Sequence, residues 1–255
     1  MTESQTRTED VSAHYNADYF KKWNYADRPL GKFSMYWFAR RYYATLVNRY
    51  APAGDASRKV YEMGTGLGDL LGLLQDDFTA IGVDLIPEAV EQARQNAPKA
   101  DISVGDATDF SRFASGELSA VVALHLVEHL PDPQATIQDV YASLCAGGVF
   151  VFATPHPEYS LRRFKDRDTD AIGKDKTHIN CHVPETWKRW CEDTGFEVLV
   201  QCGDGLWDVP YLPVIPNAVQ FALFGFPAFL QVMTRTTFMP LSMGVNQINV
   251  VRKPF

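Results

Sequence analysis

The glycine-rich stretch at residues 60–69, Val-Tyr-Glu-Met-Gly-Thr-Gly-Leu-Gly-Asp, constrains the fold more than any other part of this chain. A short β-type run at residues 59–61 precedes it, and an apolar, helix-compatible run at residues 70–74 follows it. Glycines that connect a strand to a helix leave backbone N–H groups pointing at a polar or anionic ligand. They are needed because the turn requires unusual dihedral angles and because a Cβ atom would keep the ligand off the backbone. The stretch therefore predicts a ligand-binding loop in an α/β domain; a glycine turn without a ligand is the alternative.

The spacing of the glycines separates two kinds of nucleotide ligand. The dinucleotide fingerprint G-x-G-x-x-G, started at Gly64, would require a glycine where Asp69 stands. Glu62, Gly64, Gly66 and Gly68 instead follow one another at alternate positions. This pattern resembles the first motif of class I S-adenosylmethionine (SAM) methyltransferases, in which the acidic residue lies near the methionine end of the cofactor. SAM carries an ammonium group and no pyrophosphate, so a carboxylate at Glu62 suits SAM better than a dinucleotide.

A second signal follows about twenty residues after the loop. Residues 79–84, Thr-Ala-Ile-Gly-Val-Asp, form a strand pattern that ends in an acid, and a helix pattern occupies residues 87–96. An acid at this place in a mononucleotide-binding unit accepts hydrogen bonds from ribose hydroxyls. Asp84, followed by Leu85, is therefore predicted to bind the ribose; a cap on the following helix is the alternative.

The same resemblance implies further contacts with the cofactor. Thr65 belongs to the glycine loop, and Asp106 would accept a hydrogen bond from the adenine amino group with the Ala107 N–H nearby. The alternative for Asp106 is a cap on a helix at residues 108–113. Leu124 ends the fourth strand pattern at the carboxyl edge, where ligands bind in doubly wound sheets.

Composition excludes several classes of function. A net charge of −7 over 255 residues argues against a nucleic-acid partner, because proteins that bind nucleic acids concentrate positive charge. The N-terminus shows no secretory signal and no apolar run reaches 18 residues, so neither secretion nor a membrane span is expected. The four cysteines contain no C-x-x-C pair, which favours a reducing compartment over a disulfide framework. We expect a single cytoplasmic α/β domain.

The order of strand and helix patterns predicts the topology. Strands are expected at residues 59–61, 79–84, 101–104, 118–124, 149–153, 196–201 and 246–252. Helices are expected at residues 35–50, 70–74 and 87–96, from Pro133 to Gly147, and from Pro184 to Gly195. The result is a doubly wound, Rossmann-like sheet of seven strands with the last antiparallel, as in class I methyltransferases. We assign residues 1–54 to a tail and helical cap and residues 55–255 to the SAM-binding domain.

An aromatic segment at residues 14–25 precedes these elements. It is predicted to be helical. It either folds over a site or packs as an ordinary helix, and the sequence favours neither interpretation.

The chain is most similar to the methyltransferases of ubiquinone and menaquinone biosynthesis. The similarity lies in the tracts at residues 127–133, Val-Glu-His-Leu-Pro-Asp-Pro, and 144–148, Leu-Cys-Ala-Gly-Gly. The resemblance implies methyl transfer from SAM to a small, partly apolar acceptor, most often at oxygen, with S-adenosylhomocysteine as the product. Enzymes that methylate amino groups of DNA bases or glutamine carry an Asn/Asp-Pro-Pro-aromatic tract, which residues 125–128, His-Leu-Val-Glu, do not match.

Two other functions stay open. One is a nicotinamide-dependent oxidoreductase, which Asp69 disfavours. The other is a non-catalytic protein that binds SAM or a related nucleoside as a regulatory ligand.

The segment at residues 205–244 is the most individual part of the chain. It is apolar, is interrupted by prolines and is too long for a passive hairpin between the last two strands. We predict that it covers an apolar acceptor, with Trp207 and Tyr211 lining the pocket. The alternatives are additional core, a surface between copies of this chain, and peripheral contact with a membrane.

A histidine is the best candidate for a base. His125 follows the fourth strand at the carboxyl edge, and a phenol or alcohol must lose a proton when it is methylated. His125, Glu128 and His129 would converge on one ion if the segment were helical, because residues three and four apart share a helix face. Methyl transfer from a sulfonium has no inherent need of a metal, so we predict a metal-independent enzyme.

Overall fold

The computed structural model describes residues 33–54, 58–166 and 168–255. Its seven strands form one sheet in the order β3-β2-β1-β4-β5-β7-β6. The strands are β1 Lys59–Met63, β2 Thr79–Asp84, β3 Asp101–Val104, β4 Leu118–Leu124, β5 Leu144–Pro155, β6 Glu197–Gly203 and β7 Asn246–Arg252. Strands β1 to β5 pair in parallel, and β7 runs antiparallel to both β5 and β6. The predicted doubly wound sheet with an antiparallel last strand is confirmed.

Helices cover both faces of the sheet. They are α1 Met35–Tyr50, α2 Asp69–Leu74, α3 Pro87–Asn96, α4 Pro133–Ser143, α5 Ala171–Lys174, α6 Pro184–Thr194, α7 Asn217–Gln220 and α8 Phe226–Thr234. A π turn, Phe221–Gly225, joins α7 to α8, and single 3₁₀ turns occur at Val127–His129, Arg162–Phe164 and Leu241–Met243. The aromatic segment predicted at residues 14–25 lies outside the described residues. Among the described helices, none is both long and apolar enough to cross a membrane.

Alternating side chains of the central strands fill two separate layers of core. Val60 and Val122 face the layer covered by α1, α2 and α3, whereas Tyr61 and Val121 face the layer covered by α4 and α6. Nearly every residue of β4 is buried, as expected for a parallel strand covered on both faces. Because each face is closed by helices, a ligand can approach the sheet only at the ends of its strands.

The structure shifts several predicted boundaries, and the largest shift is at the junction of the fourth helix and the fifth strand. Helix α4 begins at Pro133 as expected, but it ends at Ser143 rather than at Gly147, and β5 starts at Leu144. Gly147 has a φ of +74° and its N–H donates to the Lys253 carbonyl, so this glycine turns the chain near the start of a strand and does not cap a helix.

The 205–244 segment lies between β6 and β7, as predicted, and part of it forms a third apolar cluster. Tyr211 packs there against Tyr159 and Phe224, and only 2% of its surface is exposed. In this structure the ring of Tyr211 fills core, which agrees with the alternative of additional core for this part of the segment. Its role at the acceptor pocket stays a prediction.

Candidate functional site

The glycine loop joins β1 to α2 at the carboxyl edge of the sheet, and each of its glycines has a positive φ. A Cβ atom on Gly68 would lie 2.9 Å from Ala93, so this glycine lets α2 approach α3 closely. A Cβ atom on Gly64 would lie 3.1 Å from the Leu126 side chain. A Cβ atom on Gly66 would meet no atom of the described residues within 4 Å, so this part of the structure leaves space beside the loop there. This is the arrangement that the sequence predicts for a loop whose backbone contacts a ligand.

The carboxylate of Asp84 ties the loop to the end of β2. Its Oδ2 accepts a hydrogen bond from the Gly66 N–H at 2.8 Å, and its Oδ1 accepts one from the Ile86 N–H at 3.0 Å. Burial raises the pKa of Asp84, and these backbone hydrogen bonds oppose the rise. Asp84 therefore fixes the loop in addition to any contact with ribose. The predicted neighbour Leu85 is half-buried beside it.

Glu62 lies at the end of β1, beneath the loop, and is almost completely buried. Its Oε2 has no hydrogen-bond partner among the described residues, and the same holds for Oδ2 of Asp69 at the start of α2. Burial raises the pKa of Glu62 to about 8; Arg40 opposes the rise, and the charges of Asp69 and Asp84 add to it. Burial also raises the pKa of Asp69, against the charge of Arg40 and a hydrogen bond from Tyr36. A buried and a half-buried carboxyl group, each with one oxygen that has no partner among the described residues, form a place suited to a cationic group.

Sequence reasoning missed the contribution of α1 to this place. Neither Arg40 nor Tyr36 was given a role at the site. Both act on the carboxyl groups below the loop. The available signal was an arginine opposite an apolar face, which by itself is typical of any surface helix.

The predicted adenine contacts follow β3. Oδ1 of Asp106 accepts hydrogen bonds from the Thr108 N–H at 2.8 Å and from the Thr108 hydroxyl at 2.7 Å. Residues 108–113 form turns rather than the helix considered as an alternative. Ala107 is buried and its carbonyl accepts a hydrogen bond from the Tyr61 hydroxyl at 2.9 Å. Asp106 itself is exposed at the edge of the sheet.

His125 directly follows β4 and Leu124, and its backbone is held in an unusual conformation. Its φ is +56°, and its N–H donates to the Ala153 carbonyl at 2.9 Å. A non-glycine residue in the left-handed region is uncommon, and such strain concentrates at functional sites. The imidazole is 43% exposed, and its Nδ1 lies 3.5 Å from Oε1 of the completely buried Glu128. The histidine is therefore held next to a buried carboxylate and remains open to solvent at the carboxyl edge.

Glu128 is the centre of a polar group beside His125. Burial raises its pKa, but the hydrogen bond and charge of His125 and the charge of His129 outweigh burial, so the net pKa is lowered. At 3.5 Å, the contact between Nδ1 of His125 and Oε1 of Glu128 is longer than an ordinary hydrogen bond, and neither carboxyl oxygen of Glu128 has another hydrogen-bond partner among the described residues. Ligand atoms of Glu128, His129 and His178 lie within 4.8 Å of one another. The grouping that could hold a metal therefore contains His178, which follows α5, in place of the predicted His125.

Asp204, which follows β6, brings the 205–244 segment to the same edge. Its Oδ1 accepts a hydrogen bond from the Asn246 N–H at 2.8 Å, and its Oδ2 accepts one from the Trp207 indole N–H at 2.7 Å. Burial raises the pKa of Asp204, and its hydrogen bonds from Asn246 and Trp207, together with a smaller electrostatic effect of His125, oppose the rise. Trp207 is thus anchored to Asp204, while 39% of its surface stays exposed. Sequence reasoning gave Asp204 no role.

Comparisons with known proteins agree on one family. A sequence profile described as a methyltransferase domain matches residues 35–201, more than half of the chain. The ubiquinone biosynthesis O-methyltransferase of Aromatoleum aromaticum is 25% identical over 159 residues, covering 57% of this chain and 66% of that protein. The 2-methyl-6-phytyl-1,4-hydroquinone methyltransferase 1, chloroplastic, of Oryza sativa subsp. japonica is 32% identical over 112 residues, covering 42% of this chain and 34% of that protein. The matches thus span between about a third and two thirds of these relatives.

A solved structure shows the same fold. The SAM-dependent methyltransferase from Archaeoglobus fulgidus superimposes with a TM-score of 0.53 at 22% identity, covering 84% of this chain and 94% of that chain. At this level of identity the superposition speaks for the fold alone.

Replacing Asp84 with alanine should weaken SAM binding. Loss of a charge-assisted hydrogen bond costs about 1.5–3 kcal/mol, which corresponds to roughly a tenfold to hundredfold higher Kd. Titration calorimetry measures the change. Asp84→Asn keeps an oxygen acceptor for the loop and should lose less SAM affinity than Asp84→Ala. Asp101→Ala, at the start of β3, is the control. Unchanged affinity in a folded Asp84→Ala protein would rule out the assignment.

Proposed function

Because this chain belongs to the methyltransferase-domain family, we propose that it transfers the methyl group of SAM to an oxygen atom of a small, partly apolar acceptor. SAM supplies a methyl group that is already activated for displacement. The chain has to bind the cofactor, align the acceptor and accept a proton from it. Family membership agrees with the SAM cofactor predicted from the glycine loop.

One observation carries the assignment of the cofactor site. Among the described residues, Glu62 and Asp69 each keep a buried carboxyl oxygen without a hydrogen-bond partner, below a glycine loop in which nothing lies against Gly66. A pyrophosphate would be repelled by two buried acids, whereas an ammonium group would be stabilised by them. We assign the methionine end of SAM to Glu62 and the loop Gly64, Thr65 and Gly66.

The rest of the cofactor is assigned along the same edge. The ribose is assigned to Asp84 with Leu85, the adenine to Asp106 and Ala107, and the sulfur end to the neighbourhood of Leu124. Asp84, Leu85, Ala107 and Leu124 line the carboxyl ends of neighbouring strands or the loops that follow them. Ligands of doubly wound sheets bind in this position.

The acceptor is assigned to the space in front of His125. With its Nδ1 directed at Glu128, the imidazole can present Nε2 to an acceptor hydroxyl. Glu128 would stabilise the imidazolium that forms when the proton is taken, as a carboxylate does in other histidine–carboxylate pairs. The base is therefore His125, and Glu128 is its positioning residue.

The nature of the acceptor is inferred from the site and from the relatives. Trp207 supplies a partly exposed aromatic surface, and its indole is anchored to Asp204. The relatives are named for ubiquinone biosynthesis and for 2-methyl-6-phytyl-1,4-hydroquinone. By analogy we propose a phenolic acceptor with an apolar substituent for this chain.

A product assay tests this proposal. Purified protein is incubated with SAM and a panel of phenols, amines and carboxylic acids, and S-adenosylhomocysteine and methylated product are measured by mass spectrometry. Turnover restricted to phenols would support the proposal. Turnover only with amines or carboxylic acids would overturn the oxygen of a phenol as the acceptor. SAM binding without turnover on any acceptor would favour a regulatory SAM-binding protein.

We propose in addition that methyl transfer needs no metal. Displacement of a methyl group from a sulfonium has no inherent need of a metal, and Nδ1 of His129 is held by protein groups, with the Thr177 carbonyl 3.1 Å away. Methyl transfer should therefore continue in the presence of EDTA at an undiminished rate. If EDTA abolished turnover and a divalent ion restored it, Glu128, His129 and His178 would be assigned to a metal.

A further inference from the structure

The second half of the 205–244 segment has an unusual surface. Residues 209–234 contain no charged side chain. Helix α7, the π turn and α8 continue one another through this stretch. Five large apolar side chains in this stretch are spaced three or four residues apart, and each is between 39% and 61% exposed. We call these five residues the outer stripe: Val219, Leu223, Phe226, Leu230 and Met233. This spacing places side chains along one side of a helix.

The inward side of the same helices contains two buried glutamines among apolar residues such as Ala228 and Val232. Gln220 is completely buried; its side chain accepts hydrogen bonds from the Tyr211 and Leu212 N–H groups and donates to the Leu212 and Ile215 carbonyls. Gln231, 1% exposed, donates to the Gly203 carbonyl at 2.9 Å and accepts from two N–H groups of the following loop. Polar residues therefore point inward and large apolar residues point outward. A helix that faces only water has the reverse arrangement.

The exposed surface is larger than the stripe itself. Phe221 and Phe238 are about half exposed, and Val214 before α7 is almost fully exposed. Soluble monomers rarely expose contiguous apolar patches of this kind unless the patch contacts a partner. The hydrogen bonds of Gln220 and Gln231 fix the orientation of these helices, so the outer stripe is held toward the exterior.

Two observations favour a lipid surface as the partner. Protein interfaces carry about one hydrogen bond per 100–200 Å², and the outer stripe offers no side chain that could form one. Guanidinium groups lie at the end of α8, where Arg49 Nη2 of α1 donates to the Arg235 carbonyl at 3.4 Å. An apolar face with basic residues at its border is the combination that binds bilayers containing anionic lipids. We propose that the outer stripe inserts into an anionic lipid surface and that Arg49 and Arg235 contact its headgroups.

The position of the stripe connects it with the candidate site. Gln231 binds the carbonyl of Gly203, the residue before Asp204, and Asp204 anchors Trp207. Docking through the stripe would place the lipid next to the segment that begins at the carboxyl end of β6. A phenolic acceptor with an apolar substituent could then reach His125 from the bilayer; this last step rests on the proposed function.

Vesicle sedimentation of the full chain tests the docking surface. Wild-type protein should bind vesicles of phosphatidylcholine and phosphatidylglycerol at a 3:1 ratio, and should bind less to pure phosphatidylcholine or in high salt. The Leu223→Asp/Phe226→Asp variant should bind at least about tenfold more weakly, since charge opposes insertion into the bilayer interface. Phe255→Asp is the matched control, because Phe255 is also exposed but follows β7 at the opposite edge of the sheet.

Equal binding of wild type and the double variant would overturn the proposal. A wild-type dimer that the double variant converts to monomers in analytical ultracentrifugation, without vesicle binding, would assign the stripe to a second copy of this chain. Vesicle binding is measured without SAM or acceptor, so a protein that binds vesicles but lacks methyl transfer would overturn the proposed function alone.

Discussion

Replacing Glu62 with glutamine should stabilise the cofactor-free protein at pH 8 and have almost no effect near pH 4. Burial raises the pKa of this carboxyl from 4.5 to about 8. Between these values the folded protein retains a proton that the unfolded chain has lost, so stability falls as the pH rises. The contribution of one group is about 1.4 kcal/mol per pH unit. Urea unfolding is measured from pH 4 to pH 9 with SAM removed. The free energy of unfolding of the variant, relative to that of the wild type, should increase up to pH 8 and stay constant above it.

The same substitution should weaken SAM binding. The cationic cofactor requires ionised Glu62, so binding to the wild type below pH 8 must release a proton, and affinity should rise with pH toward 8. Glu62→Gln should remove this dependence and bind about tenfold to a hundredfold more weakly at pH 8. Calorimetry in buffers of different ionisation enthalpy counts the protons. Glu88→Gln, on the exposed side of α3, is the control.

A cofactor-binding role for Glu62 requires both results. If wild type and Glu62→Gln bound SAM with the same pH dependence, Glu62 would not contact the cation. Stabilisation of the variant without any loss of SAM affinity would make Glu62 an unfavourable buried acid without a function in binding.

The sheet could be predicted from the sequence because its signals are local. Periodic apolar runs bounded by Gly, Pro and Asp gave strands β2, β3, β4 and β7 at their observed boundaries. The end of α4 was placed too late because Gly147 was interpreted as a helix stop. A glycine with positive φ occurs at helix ends and within strands alike, and only the pairing of Leu144 with Leu118 distinguishes the two.

The cofactor loop was predictable for the same reason, whereas its surroundings were not. Glu62, Gly64, Gly66 and Asp84 belong to one βαβ unit, and the distances between them are fixed by that unit. Arg40, His178 and Asp204 reach the site from helices and loops far along the chain. No spacing rule connects such residues, so only the fold places them near Glu62, Glu128 and His125.

For the 205–244 segment, the orientation of the side chains could not be predicted from the sequence. Its composition was recognised as apolar and interrupted by prolines, but composition does not reveal which side chains face inward. Tyr211 was predicted at a pocket and is in the core, while Leu223 and Phe226 are exposed. The inward positions of Gln220 and Gln231 decide this orientation, because their amides satisfy backbone groups of neighbouring loops.

Replacing His125 with asparagine should reduce kcat for a phenolic acceptor by about a hundredfold to ten-thousandfold, the range typical for loss of a general base. Asparagine is preferred to glutamine because it tolerates the left-handed backbone conformation that His125 adopts. The KM for SAM should remain near the wild-type value, since the cofactor is assigned to Glu62 and Asp84. Glu128→Gln should cause a smaller loss, because it leaves the imidazole in place but removes the charge that orients it.

Acceptors of different pKa distinguish a His125 that acts as a base from a His125 that only shapes the pocket. An unsubstituted phenol has a pKa near that of tyrosine, about 10, and needs a base at neutral pH. A phenol with electron-withdrawing substituents is already ionised there and needs none. His125→Asn should therefore recover most of its kcat on the acidic phenol and little on the ordinary one. An equal loss of kcat on both acceptors, in a variant that binds SAM normally, would show that His125 shapes the pocket rather than removing the proton.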